Sequence, residues 1–242
     1  MKLSNLNLRV LLQDSDYYAL QAINGYLAWD RRTRVTYMAE SLDAMWTYLD
    51  HIQAPELPDV IVLDADHVGG PESLTWQIER LRARIPNVMV VCLAQLLDTS
   101  LIAAAIAAGA RAYLLKAEAR LQIAWAIAYA TEHPLLVTPG VAAAAERYWL
   151  PGQGEPAILP ARREYPELTD RIRQAIELCV VKGMPAHLAA DEMGISLHTI
   201  RSYIKEGYRI LEAYDETEYP SDFSPQERAF MRLTKPDPPE ED

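Results

Sequence analysis

Acidic residues and one lysine follow apolar runs in the first half of the chain, with a spacing that suits phosphoryl chemistry. Asp14 and Asp16 come after the run 8–13, and Asp64 ends the run Val-Ile-Val-Leu-Asp. Lys116 ends the run Ala-Tyr-Leu-Leu-Lys. Carboxylates hold hard divalent cations, and an aspartate can act as a nucleophile toward a phosphoryl group. Asp64 is therefore the candidate nucleophile, and Lys116 is the candidate partner of phosphoryl oxygens.

Residues 183–205 predict two short helices joined by a tight turn. Gly194 provides the turn, and Ser196 precedes the second helix as a cap, with Thr199 three residues later. Small and apolar residues of the first helix face a stripe on the second that contains Ile200 and Ile204. This is the pattern of a helix-turn-helix, whose second helix reads the major groove of DNA.

The polar face of that second helix supplies the candidate DNA contacts. His198 and Arg201 are the candidates for base edges, because arginine can bond guanine through two hydrogen bonds. The remaining polar positions suit phosphates, which fix the register without reading sequence. The full set is Leu197, His198, Thr199, Arg201, Ser202, Lys205 and Arg209.

Two kinds of segment alternate before residue 132 and must position the acidic cluster. Short runs rich in Val, Ile and Leu predict buried parallel strands at 8–13, 34–37, 60–63, 88–93 and 112–115. Helical spacing covers 17–30, 42–51, 73–85, 99–108 and 119–131. The alternation predicts a doubly wound α/β domain with a five-stranded parallel sheet, in which ligands sit at the carboxyl ends of the strands.

The second half of the chain is organised differently. Repeated Pro and Gly break residues 133–165, which predict a linker with one short helix at 141–149. Residues 166–214 predict an all-helical domain with helices at 168–182, 185–193 and 197–211. The end, 215–242, is acidic and Pro-rich, with a capping box at Ser224 and Glu227 that favours a short helix over 224–233. The predicted domains are thus 1–132 and 166–214.

Composition sets further limits. The net charge is −11, but residues 215–242 carry nine acidic and three basic residues, so over half of the excess lies in the tail. No apolar run is long enough to span a bilayer, and we expect no membrane partner and a cytoplasmic location. Cys92 and Cys179 lie far apart in apolar runs, as reduced core thiols do. Without a catalytic Ser/His/Asp or Cys/His set or metal-ligand spacing, we expect no enzyme.

On these residues the chain resembles a response regulator of the NarL/FixJ class. Residues 7–131 resemble the receiver domain of two-component systems, and 166–212 resemble the LuxR-type helix-turn-helix. The resemblance implies that Asp64 accepts phosphate from a histidine kinase, that Asp14 and Asp64 bind Mg²⁺, and that Lys116 contacts the phosphoryl group. It also implies that Tyr113 is the aromatic residue that changes rotamer on activation.

The sequence departs from that pattern at several places. The acid pair after the first strand reads Asp14-Ser15, so Asp16 would complete the pocket only after a shift of the loop. Ala94 replaces the Thr or Ser that senses the phosphoryl group, and His67-Val68-Gly69 replaces Met-Pro-Gly. In the helical domain, Gly207 replaces an apolar residue and weakens its helix, and Ile210 replaces a lysine that contacts phosphate, so both predict a modest affinity for DNA. We therefore predict a degenerate receiver with little or no phosphorylation, which needs Mg²⁺ only if it is phosphorylated.

Simpler interpretations stay open at each site. Asp64 could merely end a strand, Asp14 and Asp16 could cap the following helix, and Tyr113 could be ordinary packing. The helical segment could be a small bundle with a solvated charged face. The tail could shield the recognition helix, contact the transcription machinery, dock as a helix or remain a disordered end.

The interpretation we favour is a sequence-specific transcription regulator that binds double-stranded DNA as a homodimer. It requires no cofactor for DNA binding, and RNA polymerase or another regulator is a further expected partner. The alternative is a protein-interaction adaptor that uses the receiver-like domain and has lost DNA binding. Electrophoretic mobility shifts measured as a function of salt distinguish the two.

Overall fold

The chain divides into two units, residues 1–160 and 161–242, in a computed structural model that describes residues 6–145, 155–215, 217, 219 and 222–237. The first unit extends past the predicted boundary at residue 132 and takes in most of the predicted linker 133–165. The second unit includes the tail that was predicted as a separate segment.

A parallel sheet forms the centre of the first unit, as the alternating pattern predicted. Its strands are β1 (Leu8–Gln13), β2 (Thr33–Ala39), β3 (Val60–Asp64), β4 (Met89–Ala94), β5 (Ala112–Leu115), β6 (Leu136–Val137) and β7 (Ala157–Ile158). They are ordered β2-β1-β3-β4-β5-β6-β7. Every residue of β3 and β4 is buried, which explains why their sequences are continuous apolar runs.

The prediction of a five-stranded sheet is wrong, because two short strands from the predicted linker extend it. Leu136 pairs with Ala112 of β5, and Ala157 pairs with Leu136. These additions satisfy backbone groups along the β5 edge, which would otherwise be unpaired. Each added strand has only two residues, too few to show a periodicity in the sequence.

Helices cover both faces of the sheet. They are α1 (Tyr17–Ala28), α2 (Leu42–His51), α3 (Pro71–Arg84), α4 (Thr99–Ala107), α5 (Lys116–Ala119), α6 (Ile123–Ala130) and α7 (Pro139–Ala145). The apolar residues of α1 and α6 share one core cluster with one face of the strands. Those of α2, α3, α4 and α7 share the other cluster. The predicted helix at 119–131 is broken, because α5 and the 3-10 turn Arg120–Gln122 come before α6.

In the described part of the second unit the α-helices are α8 (Asp170–Ile176), α9 (Ala186–Met193), α10 (Leu197–Tyr214) and α11 (Pro225–Thr234). The last turn of the predicted helix 168–182 is a π-helical segment, Glu177–Val181, that continues from α8. Ala175, Leu178, Ala190 and Ile200 belong to a cluster that joins α8, α9 and α10. A helical domain of this kind was predicted at 166–214.

The turn between α9 and α10 forms as the sequence predicted. Gly194 ends α9 in the left-handed region, with φ 64° and ψ 37°, where glycine has no steric penalty. The Ser196 hydroxyl then accepts a hydrogen bond from the backbone N–H of Thr199, which satisfies one of the free donors at the start of α10.

The tail contributes a docked helix, so a wholly disordered end is excluded for residues 224–234. Ser224 and Glu227 form the predicted capping box at the start of α11. Phe230 is 1% exposed, and Gln226 Nε2 donates to Cys179 O at 2.8 Å. The first residues of the second unit pair with residues near the end of the chain, because Arg162 and Pro236 form an antiparallel bridge.

The two cysteines and the lengths of the apolar helices can also be compared with the sequence predictions. Cys92 and Cys179 are free, buried thiols, and burial raises the pKa of Cys92 to about 12. Among the helices of the described residues, none has both the length and the apolar content needed to cross a bilayer.

Candidate functional site

Three of the residues singled out for phosphoryl chemistry meet at the carboxyl ends of the strands. Asp14 follows β1, Asp64 ends β3, and Lys116 follows β5. Lys116 Nζ lies 2.7 Å from Asp14 Oδ2 and 3.3 Å from Asp64 Oδ1. Both aspartates are almost fully buried. One ammonium group therefore bridges two buried carboxylates at the carboxyl ends of the neighbouring strands β1 and β3.

Two further residues of this pocket were not assigned from the sequence. His67 Nδ1 lies 2.7 Å from Asp64 Oδ2, and the Ser15 hydroxyl donates to the same oxygen at 3.3 Å. The bond to Asp64 raises the pKa of the His67 imidazole. The only sequence signal was position, because His67 lies three residues beyond Asp64 in a loop at the same sheet edge.

The two buried carboxylates keep Lys116 charged. Burial lowers the pKa of Lys116, but its hydrogen bonds and charge interactions with Asp14 and Asp64 outweigh that effect, and the pKa is raised. Lys116 is therefore charged at neutral pH. A charged lysine and a hydrogen-bonded histidine compensate two carboxylates that would otherwise be costly to bury.

Mg²⁺ does not fit this arrangement. Asp14 Oδ1 accepts the backbone N–H of Asp16, and Asp14 Oδ2 contacts Lys116. Asp64 Oδ1 contacts Lys116, while Asp64 Oδ2 contacts His67. Every carboxylate oxygen of the pair is thus engaged by the protein. No group of three or more His, Cys, Asp or Glu side chains able to hold a metal occurs within the described parts of the chain.

Asp16 does not join the pocket, so its predicted place there is corrected. Its carboxylate accepts the backbone N–H groups of Tyr18 and Ala19 and thereby caps α1. Unsatisfied N–H groups at a helix start favour this use of an aspartate. The capping interpretation that the sequence left open is the one that the structure has, and Ser15 occupies the position beside Asp14.

Tyr113 and the β4–α4 loop lie next to the pocket. Tyr113 is fully buried, and its hydroxyl has no hydrogen-bond partner among the described residues. Burial raises the pKa of this phenol.

Asp66, which the sequence did not single out, accepts the backbone N–H of Gln95 at 2.5 Å. A carboxylate of the β3–α3 loop therefore holds the loop that follows Ala94.

The second candidate site is the exposed face of α10. Ser202 donates to His198 O within the helix, and the hydroxyls of Ser196 and Thr199 lie 2.8 Å apart. Thr199 is only partly exposed. The other predicted contact positions are exposed, and these are Leu197, His198, Arg201, Ser202, Lys205 and Arg209. The stripe predicted to face outward does so within this unit.

Arg209 differs from the other basic residues of the stripe. Its guanidinium bonds Glu206 on the same helix, with Nε 2.9 Å and Nη2 2.6 Å from the two carboxylate oxygens. This ion pair raises the pKa of Arg209 and lowers that of Glu206. A phosphate would have to compete with Glu206 for Arg209, whereas Arg201 and Lys205 form no ion pair with any residue that the structure describes.

The two departures in α10 have packing reasons. Gly207 is buried, and a Cβ there would lie 2.5 Å from Cγ1 of Ile176. The absence of a side chain thus lets α10 approach α8 closely. Ile210 is also buried, where a charged lysine would be costly. These residues serve the core of the unit, so they do not by themselves indicate weak DNA affinity.

No known protein family and no curated protein matches the sequence. Solved structures do match. The two-component response regulator RcsB in its DNA complex matches 95% of this chain and 100% of its own, with 15% identity and a TM-score of 0.50. RcsB of Salmonella typhimurium matches with 88% and 95% coverage, 18% identity and a TM-score of 0.49. A response regulator of Thermotoga maritima matches 52% of this chain and 99% of its own, with 26% identity and a TM-score of 0.45.

The first of these likenesses spans both units. This chain therefore shares its fold, an α/β domain followed by a helix-turn-helix domain, with the response regulator RcsB.

Proposed function

We propose that this protein is a sequence-specific transcription regulator that binds double-stranded DNA as a homodimer. The observation that carries the proposal is the exposed stripe on α10, with Arg201 and Lys205 solvent-accessible on a helix that follows a tight helix-turn-helix turn. The fold shared with RcsB, which has been solved in complex with DNA, supports it. A cytoplasmic location and a contact with RNA polymerase or another regulator belong to the same proposal.

The residues of the stripe have separate roles in this proposal. His198 and Arg201 contact base edges near the start of α10, and Leu197 offers an apolar contact there. Thr199, Ser202 and Lys205 contact phosphates. Arg209 contacts a phosphate once it leaves Glu206. Because α10 lies in a chain with a net charge of −11, binding depends on this face rather than on the overall charge.

The test is an electrophoretic mobility shift with genomic fragments, followed as a function of salt. We expect retarded fragments that survive competitor DNA, with an affinity that falls as salt rises because phosphate contacts release counterions. If no fragment is retarded at low salt, DNA binding is not the function of α10.

We further propose that the receiver works with little or no phosphorylation. Asp64 contacts Lys116, His67 and Ser15, and these contacts compete with the attack of its carboxylate on a phosphoryl donor. Ala94 offers no hydroxyl to sense a phosphoryl group. Neither a histidine kinase nor Mg²⁺ would then be required for the protein to work. Intact-mass measurement after incubation with acetyl phosphate and Mg²⁺ tests this, and a stable adduct on Asp64 would contradict it.

Exposed apolar side chains near the carboxyl ends of the strands, where the pocket around Asp64 lies, favour a second function. Tyr18 at the start of α1 is 82% exposed, and Leu96 in the β4–α4 loop is 67% exposed. Such residues suit a protein partner, which is the adaptor alternative. The mobility shift decides between the two functions, since an adaptor that has lost DNA binding would retard no fragment.

A further inference from the structure

The short helix α5 connects the receiver pocket to the chain that leaves the sheet. Lys116, which bridges Asp14 and Asp64, is the first residue of α5. Glu118 is on the same helical turn. Arg120 closes this turn with φ 38°, which is rare for a residue other than glycine, and its Nε donates to Ala117 O. A displacement of Lys116 would therefore move Glu118 as well.

Glu118 binds the start of α7. Its Oε2 accepts the backbone N–H of Gly140 at 3.0 Å. A Cβ at position 140 would lie 2.5 Å from Glu118 Oε1, so a side chain there would displace the Glu118 carboxylate. On the other side of Lys116, the N–H of Leu115 donates to the hydroxyl of the fully buried Thr138 at 3.1 Å. The residues on both sides of Lys116 are therefore bonded to the segment 138–140.

Helix α7 is part of the core rather than a loose linker. Val141 and Ala145 are fully buried. They belong to the same apolar cluster as Tyr113 of β5 and Ile102 of α4. A shift at the start of α7 would thus disturb the packing of Val141 and Ala145 in this core.

We propose that Glu118 is a positioning residue that couples the pocket around Asp64 to α7. A change in the pairing of Lys116 with Asp14 and Asp64 moves α5, and the bond from Gly140 to Glu118 carries this movement to α7. The coupling lies wholly within the first unit. It depends on the proposed function only for its consequence at DNA, and its test does not involve DNA.

The test is hydrogen–deuterium exchange of the full-length chain in peptides that cover residues 136–145. Lys116→Met removes the charge that bridges the pocket, and Asp64→Asn is a second pocket variant in case Lys116→Met does not fold. We expect either change to speed exchange at the start of α7 by about fivefold, the effect of losing one hydrogen bond. Glu118→Ala should speed the same amides by itself, and Lys116→Met should add nothing to it.

Glu118→Gln is the matched control, because its amide oxygen can still accept the Gly140 N–H. This variant should exchange as the wild type does and should keep the response to Lys116→Met. The proposal is overturned if both pocket variants leave residues 136–145 unchanged. It is also overturned if Lys116→Met speeds exchange equally in the Glu118→Ala background. A failure of the proposed function would show separately, as a wild-type chain that binds no DNA.

Discussion

Gly207 of α10 and Ile176 of α8 touch so closely that a methyl group at position 207 would overlap the isoleucine side chain. The hypothetical Cβ lies 2.5 Å from Ile176 Cγ1 and 3.2 Å from Ile172 Cγ2. The buried glycine thus sets the distance between α10 and α8. Glycine at position 207 lowers the helix propensity of α10, but it allows α10 to pack closely against Ile172 and Ile176.

Gly207→Ala should therefore destabilise the helical unit. Alanine is favoured over glycine by about 1 kcal/mol in a helix interior, but overpacking a well-filled core costs about 1–3 kcal/mol. We expect a net loss, measured as a lower midpoint of unfolding by circular dichroism. The matched control is Gly25→Ala in α1, where nothing lies within 4 Å of the added Cβ. That change should stabilise, and a stabilising Gly207→Ala would show that α8 yields easily.

Gly207 also marks a limit of sequence reasoning in this chain. The apolar runs of β3 and β4, the capping Ser196 and the turn at Gly194 were predictable because each depends on residues adjacent in sequence. From propensity alone, Gly207 was expected only to weaken its helix. The benefit comes from Ile172 and Ile176, more than thirty residues away in sequence, and no local pattern contains that information.

The pocket around Asp14, Asp64 and Lys116 also combines features that the sequence predicts with features that it does not. Strand-end positions placed Asp14, Asp64 and Lys116 at one edge, because parallel strands share their carboxyl ends. These positions do not predict the bond between His67 and Asp64, because the orientation of His67 depends on the path of the β3–α3 loop. Asp16 was misplaced because two uses of an aspartate, pocket ligand and helix cap, have the same spacing. The strands β6 and β7 were missed because two residues make no period.

Restoring a second carboxylate should open the pocket to Mg²⁺. In the double variant Ser15→Asp, His67→Ala, the acidic residue stands beside Asp14, and Asp64 Oδ2 loses its histidine partner. Affinity for hard cations rises with carboxylate count, so Mg²⁺ should bind on the order of tenfold more tightly than to the wild type. Isothermal titration with MgCl₂ measures this.

His67→Ala alone is the control for the loss of the imidazole in that experiment. It should gain less affinity for Mg²⁺ than the double variant. Equal Mg²⁺ affinity in the wild type and the double variant would mean that the missing carboxylate does not limit the site.

The exposed basic residues of α10 should differ in what they contribute. Arg201→Ala should cost about 1–3 kcal/mol of binding free energy and relax base preference, whereas Lys205→Ala should weaken all sequences alike and reduce the salt slope. Fluorescence anisotropy with a bound fragment and its point variants measures both effects. Arg171→Ala, an exposed arginine on α8, is the control. Unchanged binding in both α10 variants would exclude this face from the DNA contact.

The docked tail helix should stabilise the helical unit. Phe230 is 1% exposed in α11, and truncating a buried phenylalanine to alanine costs about 3–5 kcal/mol. Phe230→Ala should therefore lower the unfolding midpoint seen by circular dichroism. Pro225→Ala, at the exposed start of the same helix, is the control and should change stability by less than about 1 kcal/mol. If Phe230→Ala unfolds at the wild-type midpoint, the tail does not hold the unit together.

The ion pair between Asp215 and Lys235 should make the stability of the second unit depend on pH. Asp215 Oδ1 lies 2.7 Å from Lys235 Nζ, and Arg232 Nε lies 3.6 Å from Oδ2. Burial raises the pKa of Asp215, but the bonds from Lys235 and Thr217 outweigh it, so the pKa is lowered overall. A carboxyl whose folded pKa is depressed stabilises the fold above the unfolded value of about 3.9, and this contribution is lost as pH falls through the folded value.

Asp215→Asn removes this titration while nearly keeping the shape of the side chain. At neutral pH we expect the variant to be less stable by about 2 kcal/mol, as for a lost hydrogen bond to a charged group. The difference should shrink as pH falls below about 4, where the unfolded chain takes up the proton first, and should be lost once pH is below the depressed pKa of folded Asp215. Urea unfolding read by circular dichroism at several pH values measures it. All five tryptophans lie before residue 150, so their emission follows the first unit as an internal control. A stability difference that stayed constant from neutral to acidic pH would show that the charge of Asp215 contributes nothing.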